Sequence, residues 1–537
     1  MKVSVLCAQH PTHRPDVGAR YDALYRGGEA FHAQITHFLP RNPAELDDVY
    51  DARKKEAHYT GYVGPIVDWF SAKLCSSPIV VRPRVDDGVE ADAKPVEADP
   101  WYAGWKEDVD GARTDLMDFV RARFTAACVK GRSWWCVELP DDGLPQPENR
   151  AQWEERGLGG AYIYPLEDAQ VCDWEVDARG LLLWAIVHTQ ETRRDDPRAG
   201  DRGVITETWR IYDRTDVETW EIVWDPSKDQ RPEDARLVGR KAHGFSRVPI
   251  VRLGFVGTRG VKVKVGQKTV NIAGAALEGF WLLNRLAGPQ VAHFRNSAAL
   301  DWNIKRTCYA MPVFGIADPD KPPVMGAGYG ICIGVEEKVA WIAPPTDHLA
   351  VLSQRVDHLK QEIYRVANQL AQGVDNNAAA IGRSGESKLA DSTATEVVLR
   401  VYGAIVREAI EETYDLLADG RGDATRFSIE GLDTFNVADA AAVVDTVVKA
   451  QTLKIPSVTA RREMLYRAVD ALLPDVEQAT KEQIHEEIEA GVTEESMRAE
   501  DEAAEKAAAA LAKPAEDDAE PQSTPEPKPA ITTKEAA

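Results

Sequence analysis

One segment, residues 345–373, constrains the fold more than any other part of this sequence. Its apolar residues recur at alternating intervals of three and four: Leu349, Leu352, Val356, Leu359, Ile363, Val366 and Leu370. That spacing places them in one narrow stripe along an α-helix, with polar residues on the other faces. Pro344 and Pro345 precede the stripe and Gly373 follows it. We therefore predict a helix of about 26 residues, roughly 39 Å long.

A narrow apolar stripe with polar flanks suits a helix that packs against one or two other helices. Such a helix occurs in the core of a monomer and also between the subunits of an oligomer. The stripe alone leaves both interpretations open, so the choice between them depends on the elements on either side.

Charge and composition limit the classes of function. The chain has 537 residues, 44% of them hydrophobic, and a formal net charge of −23. This length is enough for about three to four domains. Proteins that grip DNA through its phosphates are usually basic, so any contact with nucleic acid must be local or weak. Residues 486–537 have fifteen acidic and five basic side chains and little apolar mass, which predicts disorder beyond about residue 510.

The seven cysteines give no sign of a disulfide framework or a metal site. Their number is odd, their spacing is wide and no C-x-x-C occurs, so we expect reduced core residues in a cytoplasmic protein. The first residues lack the apolar run of a signal peptide. The longest dense apolar string, 181–187, is too short to span a bilayer. We therefore expect a soluble protein.

Between residue 131 and about residue 256 the apolar pattern has a period of two. Six strings show it: residues 133–139, 160–166, 170–176, 181–191, 204–213 and 217–224. Turn residues separate them, which predicts an antiparallel meander. Seven tryptophans in these strings are expected to anchor the core: Trp134, Trp135, Trp174, Trp184, Trp209, Trp220 and Trp224. Their neighbours are mostly Glu, Asp and Thr, which argues against base stacking.

Helical patterns lie on both sides of this β region. Before it, residues 46–74 and 105–130 read as helices, the first with a break at Gly64 and Pro65. After it, residues 270–302 are again helical, and Pro289 is expected to kink or interrupt them.

The segments around the apolar stripe complete the order. Residues 307–342 suit two or three short strands, and residues 373–390 have little apolar content and read as a loop. A second long helix is predicted from Ser392 to about Leu417, capped by Ser392 or Asp391. A short strand and further helices at 438–452, 457–472 and 475–490 follow.

No motif in the sequence supports catalysis. Gly326, Gly328 and Gly330 give G-x-G-x-G, which is not the dinucleotide spacing, and no helix follows to receive a phosphate. The string RSGES, residues 383–387, only loosely resembles a nucleophile elbow. We expect no catalytic residues, no metal and no cofactor, and a structural role rather than an enzyme.

The order of these elements resembles the portal proteins of tailed bacteriophages. Several strings add to the resemblance: YDARKKEAHYTGYVGPIVDWFSAKLCSSPIVV, DVDGARTDLMDFVRARFTAACVKGRSWWCVELP, VAHFRNSAALDW and the SG pair at Ser384 and Gly385. Together they cover roughly residues 45–475. Pro289 is a departure, because it places a break where a stem helix of the family would run.

The resemblance implies an α+β portal fold. Its parts would be an N-terminal arm (1–45), a wing with helices and the antiparallel meander (46–269), a first stem helix region (270–302), a clip (303–344), a second stem helix (345–372), a tunnel loop (373–390), a long wing helix and strand (391–435), a helical crown (436–490) and an acidic, largely disordered tail (491–537).

The same resemblance implies a function and a set of partners. The protein would form a homo-oligomeric ring of twelve subunits at one capsid vertex of the virion, after assembly in the host cytoplasm. Double-stranded DNA would pass through the ring without sequence specificity during packaging and ejection. The terminase large subunit, head-tail adaptors, capsid and scaffolding proteins would dock on it.

Two groups of residues are the candidate sites under this interpretation. The stripe from Leu349 to Leu370 would mediate oligomerisation. The tunnel loop would face DNA through Asn376, Asn377, Arg383, Ser384, Gly385 and Lys388. Arg383 and Lys388 are candidates for sparse contacts with DNA, although solvated loop charges explain them equally well.

Two alternatives remain open at this point. One is another oligomeric phage head or connector protein without a DNA channel. The other, from a different class, is a nucleotide-using enzyme built on the glycine string.

Overall fold

The structure, a computed structural model, describes the following residues: 1–76, 79–84, 100–140, 152, 155–156, 160–193, 203–227, 230–265, 268–307, 311–314, 339–342, 347–370, 385–433, 435, 457–472, 480 and 483–491. They combine long helices with antiparallel sheets, which confirms the α+β prediction. The fold separates into two units, Met1–Ala438 and Asp439–Ala537. No helix in the described residues is long and apolar enough to cross a membrane.

The helices of the first unit are numbered in chain order. They are α1 Val3–Leu6, α2 Pro15–Arg26, α3 Gly28–Ala33, α4 Ile35–Phe38, α5 Asp47–Glu56, α6 Val63–Leu74, α7 Pro100–Glu107, α8 Leu116–Lys130, α9 Gly274–Leu277, α10 Leu282–Thr307, α11 Asp347–Leu370 and α12 Gly385–Arg421.

The strands are numbered in the same way. They are β1 Val80–Pro83, β2 Arg132–Glu138, β3 Tyr162–Leu166, β4 Val171–Val176, β5 Leu182–Arg193, β6 Val204–Tyr212, β7 Asp216–Trp224, β8 Arg236–Ala242, β9 Ile250–Gly254, β10 Val261–Val265, β11 Lys268–Ile272, β12 Met311–Phe314, β13 Val339–Ile342 and β14 Phe427–Glu430.

The six strands expected from the period-two pattern are present, but they form two sheets rather than one meander. β4 to β8 make a five-stranded antiparallel sheet in sequence order. β2 is instead the centre of a three-stranded sheet, between β3 and β9. Alternation predicts each strand correctly, but the choice of neighbour depends on contacts distant in sequence.

The tryptophans anchor these sheets as predicted. Trp134 of β2 and Trp174 of β4 belong to one apolar cluster, with ring centroids 5.1 Å apart. Trp209 of β6 is fully buried in a second cluster, where Val3 and Leu6 of α1 cover it. The N-terminal residues therefore cover one face of the five-stranded sheet.

Residues 1–45, expected to be an arm, form four short helices instead. Phe31 and Phe38 in them are buried in the main core, and the Phe31 ring stacks on Tyr59 at 3.9 Å. Their apolar residues are too irregularly spaced to give a periodic pattern, so the packing arises only in the tertiary structure.

Two predicted helix boundaries are wrong. The break expected at Gly64 and Pro65 lies at residues 57–62, and Pro65 sits in the first turn of α6, where a missing N–H costs little. The single helix expected over 105–130 is two helices. Asp115 starts the second by accepting a hydrogen bond from the Asp118 N–H at 2.8 Å. Gly131 ends it in the left-handed conformation, with φ of 87°.

Helix α12 lies at the centre of the main core. Tyr402, Leu416 and Leu417 of this helix are fully buried. Strand β14, which follows α12, pairs with β1 from Val80 opposite Glu430 to Pro83 opposite Phe427. Elements almost 350 residues apart in sequence therefore form one core.

The described part of the second unit is helical. Helix α13, Val458–Leu472, confirms the helix expected at 457–472, and residues 483–491 are also helical. The Tyr466 ring stacks on His485 at 4.2 Å, and Arg462 pairs with Glu489 at 2.6 Å. The helix expected at 438–452 and the acidic tail beyond 491 lie outside the described residues.

Candidate functional site: the paired helices α10 and α11

Helices α10 and α11 pack against each other and are connected through a small sheet. Strands β12 and β13 pair antiparallel, with Met311 opposite Ile342 and Phe314 opposite Val339. The chain order is therefore helix, strand, strand, helix. Residues 315–338, which include the glycine string, lie outside the described residues.

Pro289 was expected to kink or interrupt this helix, and it does not interrupt α10. The helix begins at Leu282, later than the expected start at residue 270, and continues through Pro289 to Thr307. Val270 to Ile272 belong instead to strand β11. The proline removes one backbone hydrogen bond. Burial of Leu286 and Phe294 on either side stabilises the helix, since both side chains are almost fully buried.

Gln290, next to this proline, fixes α10 to the extended segment before α6. The side chain is completely buried. Its Nε2 donates to the Thr60 carbonyl oxygen at 2.8 Å, and its Oε1 accepts from the Tyr62 N–H at 3.1 Å. The two bonds satisfy polar backbone groups that lie away from regular secondary structure.

The apolar stripe of α11 divides into two halves. Leu359 is 5% exposed and Ile363 is fully buried in the main core. Leu349, Leu352 and Val356, in the N-terminal half, are only half-buried. Val366 is half-buried too, and the side chain of Leu370 lies outside the described residues. Two stripe residues of the C-terminal half therefore pack into the protomer, and the N-terminal half keeps apolar surface partly accessible.

Two further apolar side chains face solvent near the strand pair. Val351 of α11 is 66% exposed, and Ile304 of α10 is 39% exposed. They lie towards the ends of the helices that adjoin β12 and β13 in sequence. Single exposed aliphatic residues are common on protein surfaces. Each of the two helices therefore carries one exposed apolar side chain, and Val351 lies on a different face of α11 from the stripe.

The charges on α11 balance. Asp347, Asp357 and Glu362 are matched by Arg355, Lys360 and Arg365. Arg365 makes a two-pronged contact with Glu362, with its Nε and one terminal nitrogen at 2.8 and 2.6 Å from the two carboxylate oxygens. This helix therefore offers a nearly neutral surface, which has little attraction for phosphates.

The end of the loop expected at 373–390 is helical. Helix α12 begins at Gly385, seven residues before Ser392, so Gly385 and Lys388 lie in its first turns rather than in a loop. Neither Asp391 nor Ser392 is therefore an N-terminal cap. Asn376, Asn377, Arg383 and Ser384 lie outside the described residues.

An ionic cluster that sequence reasoning missed joins α12 to the region around β9. Arg259 pairs with Glu408 at 3.0 Å, and Arg247 donates to the backbone carbonyl of Glu412 at 3.1 Å. Burial raises the pKa of both Glu408 and Glu412. Burial and neighbouring arginines also lower the pKa of Arg252 to about 10. The sequence signal available for this cluster was the spacing of Glu408 and Glu412, which lie one helical turn apart.

This cluster joins parts of the protomer through opposite charges. It surrounds a cavity of about 40 Å³, lined by Arg252, Thr258 and Glu408 among others, which has room for water-sized molecules. Its polar lining is mostly guanidinium and carboxylate groups that neutralise each other. Among the residues that the structure describes, no group of His, Cys, Asp and Glu side chains is arranged to hold a metal ion.

No protein-family model and no curated protein matches this sequence. Among solved structures, a chain from the neck of an empty gene transfer agent particle, computed with C6 symmetry, aligns with a TM-score of 0.35 and 10% identity over 79% of this chain and 95% of that chain. A chain of the native gene transfer agent virion aligns with a TM-score of 0.34 and 11% identity over 87% and 98%. A chain from the neck of the native particle, computed with C12 symmetry, aligns with a TM-score of 0.32 and 10% identity over 79% of this chain and 89% of that chain. The protein thus has a distant structural likeness to chains of gene transfer agent particles.

Proposed function

We propose that this protein is the subunit of a closed ring, a portal, that serves as the channel for viral DNA at one capsid vertex. The observation that carries the proposal is the divided stripe of α11. In its C-terminal half Leu359 and Ile363 are buried in the protomer, whereas Leu349, Leu352 and Val356 in its N-terminal half stay partly accessible. Val351 of the same helix is exposed.

In a ring, the neighbouring subunit would cover the accessible apolar surface of α11. In a closed ring each subunit contacts two neighbours through two different patches, and the rotation closes without a free end. Helix pairs that stand side by side then bury apolar surface on both flanks. Burial of one accessible Val or Leu contributes about 1 to 2 kcal/mol, repeated at every contact of the ring.

The charges favour passage of DNA over binding. A channel that gripped phosphates with many Lys or Arg side chains would retain the duplex. The described charges of α11 balance, and the whole chain is acidic at −23. Arg383 and Lys388 are proposed as the sparse contacts with DNA, and Asn376, Asn377, Ser384 and Gly385 as their neighbours in the channel.

The strand pair β12 and β13 is proposed as the docking site for the terminase large subunit and for head-tail adaptors. It connects the ends of the two helices and therefore lies at one end of the helix pair. Capsid and scaffolding proteins complete the proposed partners.

Electron microscopy of the purified full chain tests the proposal. We expect rings with a central hole wide enough for duplex DNA. Val351→Asp should prevent ring formation because the carboxylate would be desolvated between subunits. The protomer should keep its melting temperature, since this side chain is largely exposed.

Val223→Asp is the matched control. Val223 lies on β7 and is 51% exposed, far from the helix pair in sequence. Rings of unchanged yield are expected. If Val351→Asp assembles as well as this control, the helix pair is not the contact. A wild-type chain that stays monomeric at high concentration contradicts the portal itself.

The main alternative is an oligomeric head or connector protein without a DNA channel. The same images distinguish it, since closed assemblies without a central hole would favour that alternative. An enzyme built on the glycine string would hydrolyse or bind nucleotides, and we expect neither.

A further inference from the structure

One segment has a charge balance opposite to that of the rest of the chain. Residues 235–277 contain nine lysines and arginines and no aspartate or glutamate, although the whole chain carries −23. The remaining residues therefore carry −32. Part of the basic charge is used inside the protomer, where Arg247 and Arg259 face carboxylates of α12. A further basic side chain, Lys262, is exposed on a β-hairpin.

The hairpin of β10 and β11, residues 261–272, has two different faces. Val261 and Val263 are each 2% exposed and join the main core. Lys262, between them, is exposed and makes no ion pair with any residue that the structure describes. Asn271 is its partner across the strands and is exposed as well. Alternation along the strand thus directs one face inwards and a basic, polar face outwards.

The base of the hairpin is fixed against the body of the protomer. A Cβ atom at Gly274 would overlap the carbonyl oxygen of Thr258. Only glycine therefore allows the chain segments before and after the hairpin to approach this closely. Arg259, just before β10, pairs with Glu408 of α12 at 3.0 Å. The outer face is therefore presented in a defined position, which lowers the entropy lost on docking.

We propose that the outer face of this hairpin docks on an acidic surface of a second copy of this chain. The inference rests on the proposed ring, in which neighbouring subunits meet through two different patches. Copies with a strong negative charge repel one another unless a basic patch on one meets an acidic patch on the next. DNA is the less favoured occupant, since the acidic body repels phosphates.

A charge reversal at Lys262 tests the assignment in the full-length protein. We expect Lys262→Glu to raise the protein concentration needed for half-maximal assembly about tenfold at physiological salt, measured by mass photometry. The difference from wild type should shrink at about 1 M salt, where the Debye length is roughly 3 Å. The circular dichroism melting temperature should stay unchanged, because this side chain is exposed.

Lys55→Glu is the control, with the same change of charge at an exposed residue of α5. Equal effects of the two reversals, or no effect of either, would overturn the hairpin contact. The hairpin contact would also be overturned if the wild-type protein retains duplex DNA and Lys262→Glu abolishes that retention without changing assembly. The outer face of the hairpin would then be a nucleic-acid surface.

The outcomes also separate this inference from the proposed function. Rings that form equally well with Lys262→Glu refute the hairpin contact alone. A wild-type chain that never assembles refutes both. Assemblies that depend on Lys262 but lack a central hole support the contact and refute the portal.

Discussion

The ring of His293 meets the ring of Tyr62 edge-on, with centroids 5.0 Å apart, where α10 passes the start of α6. The histidine is 3% exposed, and its Nδ1 has no hydrogen-bond partner among the described residues. Burial lowers the pKa of His293 below its usual value of 6.5, and the nearby Lys360 lowers it further, while Asp357 opposes both. The folded protein therefore favours the neutral imidazole.

This contact predicts acid sensitivity. As pH falls through about 6.5, the unfolded chain binds the proton before the folded chain does, so the free energy of unfolding decreases. The loss grows by up to about 1.4 kcal/mol per pH unit until the folded pKa is reached. His293→Gln should flatten this part of the profile. Urea denaturation between pH 8 and pH 5 measures it, and His37→Gln, at an exposed position, should leave the slope as in wild type.

Truncation of Gln290 tests how α10 is held. Gln290→Ala leaves the Thr60 carbonyl and the Tyr62 N–H without their partners. We expect a loss of about 1 to 3 kcal/mol in the free energy of unfolding, because two hydrogen bonds between the buried amide and the backbone are lost. Chemical denaturation measures this value. Gln361→Ala, on the exposed face of α11, should change it by less than about 0.5 kcal/mol, and equal losses would show that the buried amide has no special role.

The two halves of the stripe should respond differently to truncation. Ile363→Ala creates a cavity in the main core and should cost the protomer about 2 to 4 kcal/mol. Leu352→Ala, at a half-buried position, should cost the protomer less and reduce ring formation more. Denaturation of the protomer and mass photometry of the assembly measure the two effects. If Leu352→Ala destabilises the protomer as much as Ile363→Ala and leaves assembly intact, the division of the stripe has no functional meaning.

A buried carboxylate on the five-stranded sheet gives a further test. Glu207 is 4% exposed, accepts two hydrogen bonds from Arg231 at 2.8 and 2.7 Å, and lies 3.1 Å from His188. Arg231→Met should lower the free energy of unfolding by about 2 kcal/mol, since a buried charge loses its main partner and the partially exposed arginine limits the loss.

The double variant Arg231→Met with Glu207→Leu should recover most of that stability, because neither charge then remains buried. Differential scanning fluorimetry of the single and double variants measures the recovery. A double variant that is less stable than Arg231→Met would show that Glu207 stabilises the sheet through its other partners, Trp224 and His188.

Local periodicity was sufficient for the elements with regular patterns. The stripe from Leu349 to Leu370 predicted a helix at 345–372, and the structure has it at Asp347–Leu370. Alternation predicted β5, β6 and β7 to within a few residues. These elements repeat one pattern over many residues, so neighbouring side chains carry the signal.

The predictions of helix boundaries were wrong where they depended on a single residue considered without its surroundings. Pro289 was expected to kink or interrupt α10, but the helix continues through it, with buried side chains on both sides. Ser392 was expected to cap α12, but the helix starts earlier at Gly385. A local preference of about 1 to 3 kcal/mol is smaller than the burial energy of several core residues.

The sequence by itself determined that the chain is acidic, that it mixes long helices with alternating strands, and that α11 carries one apolar stripe. Only the tertiary structure decided which half of that stripe is buried, that β2 leaves the meander to pair with β9, and that Gln290 meets Thr60. The reason is physical: periodicity reports which face of an element is apolar, whereas the partner of that face is set by contacts between residues hundreds of positions apart.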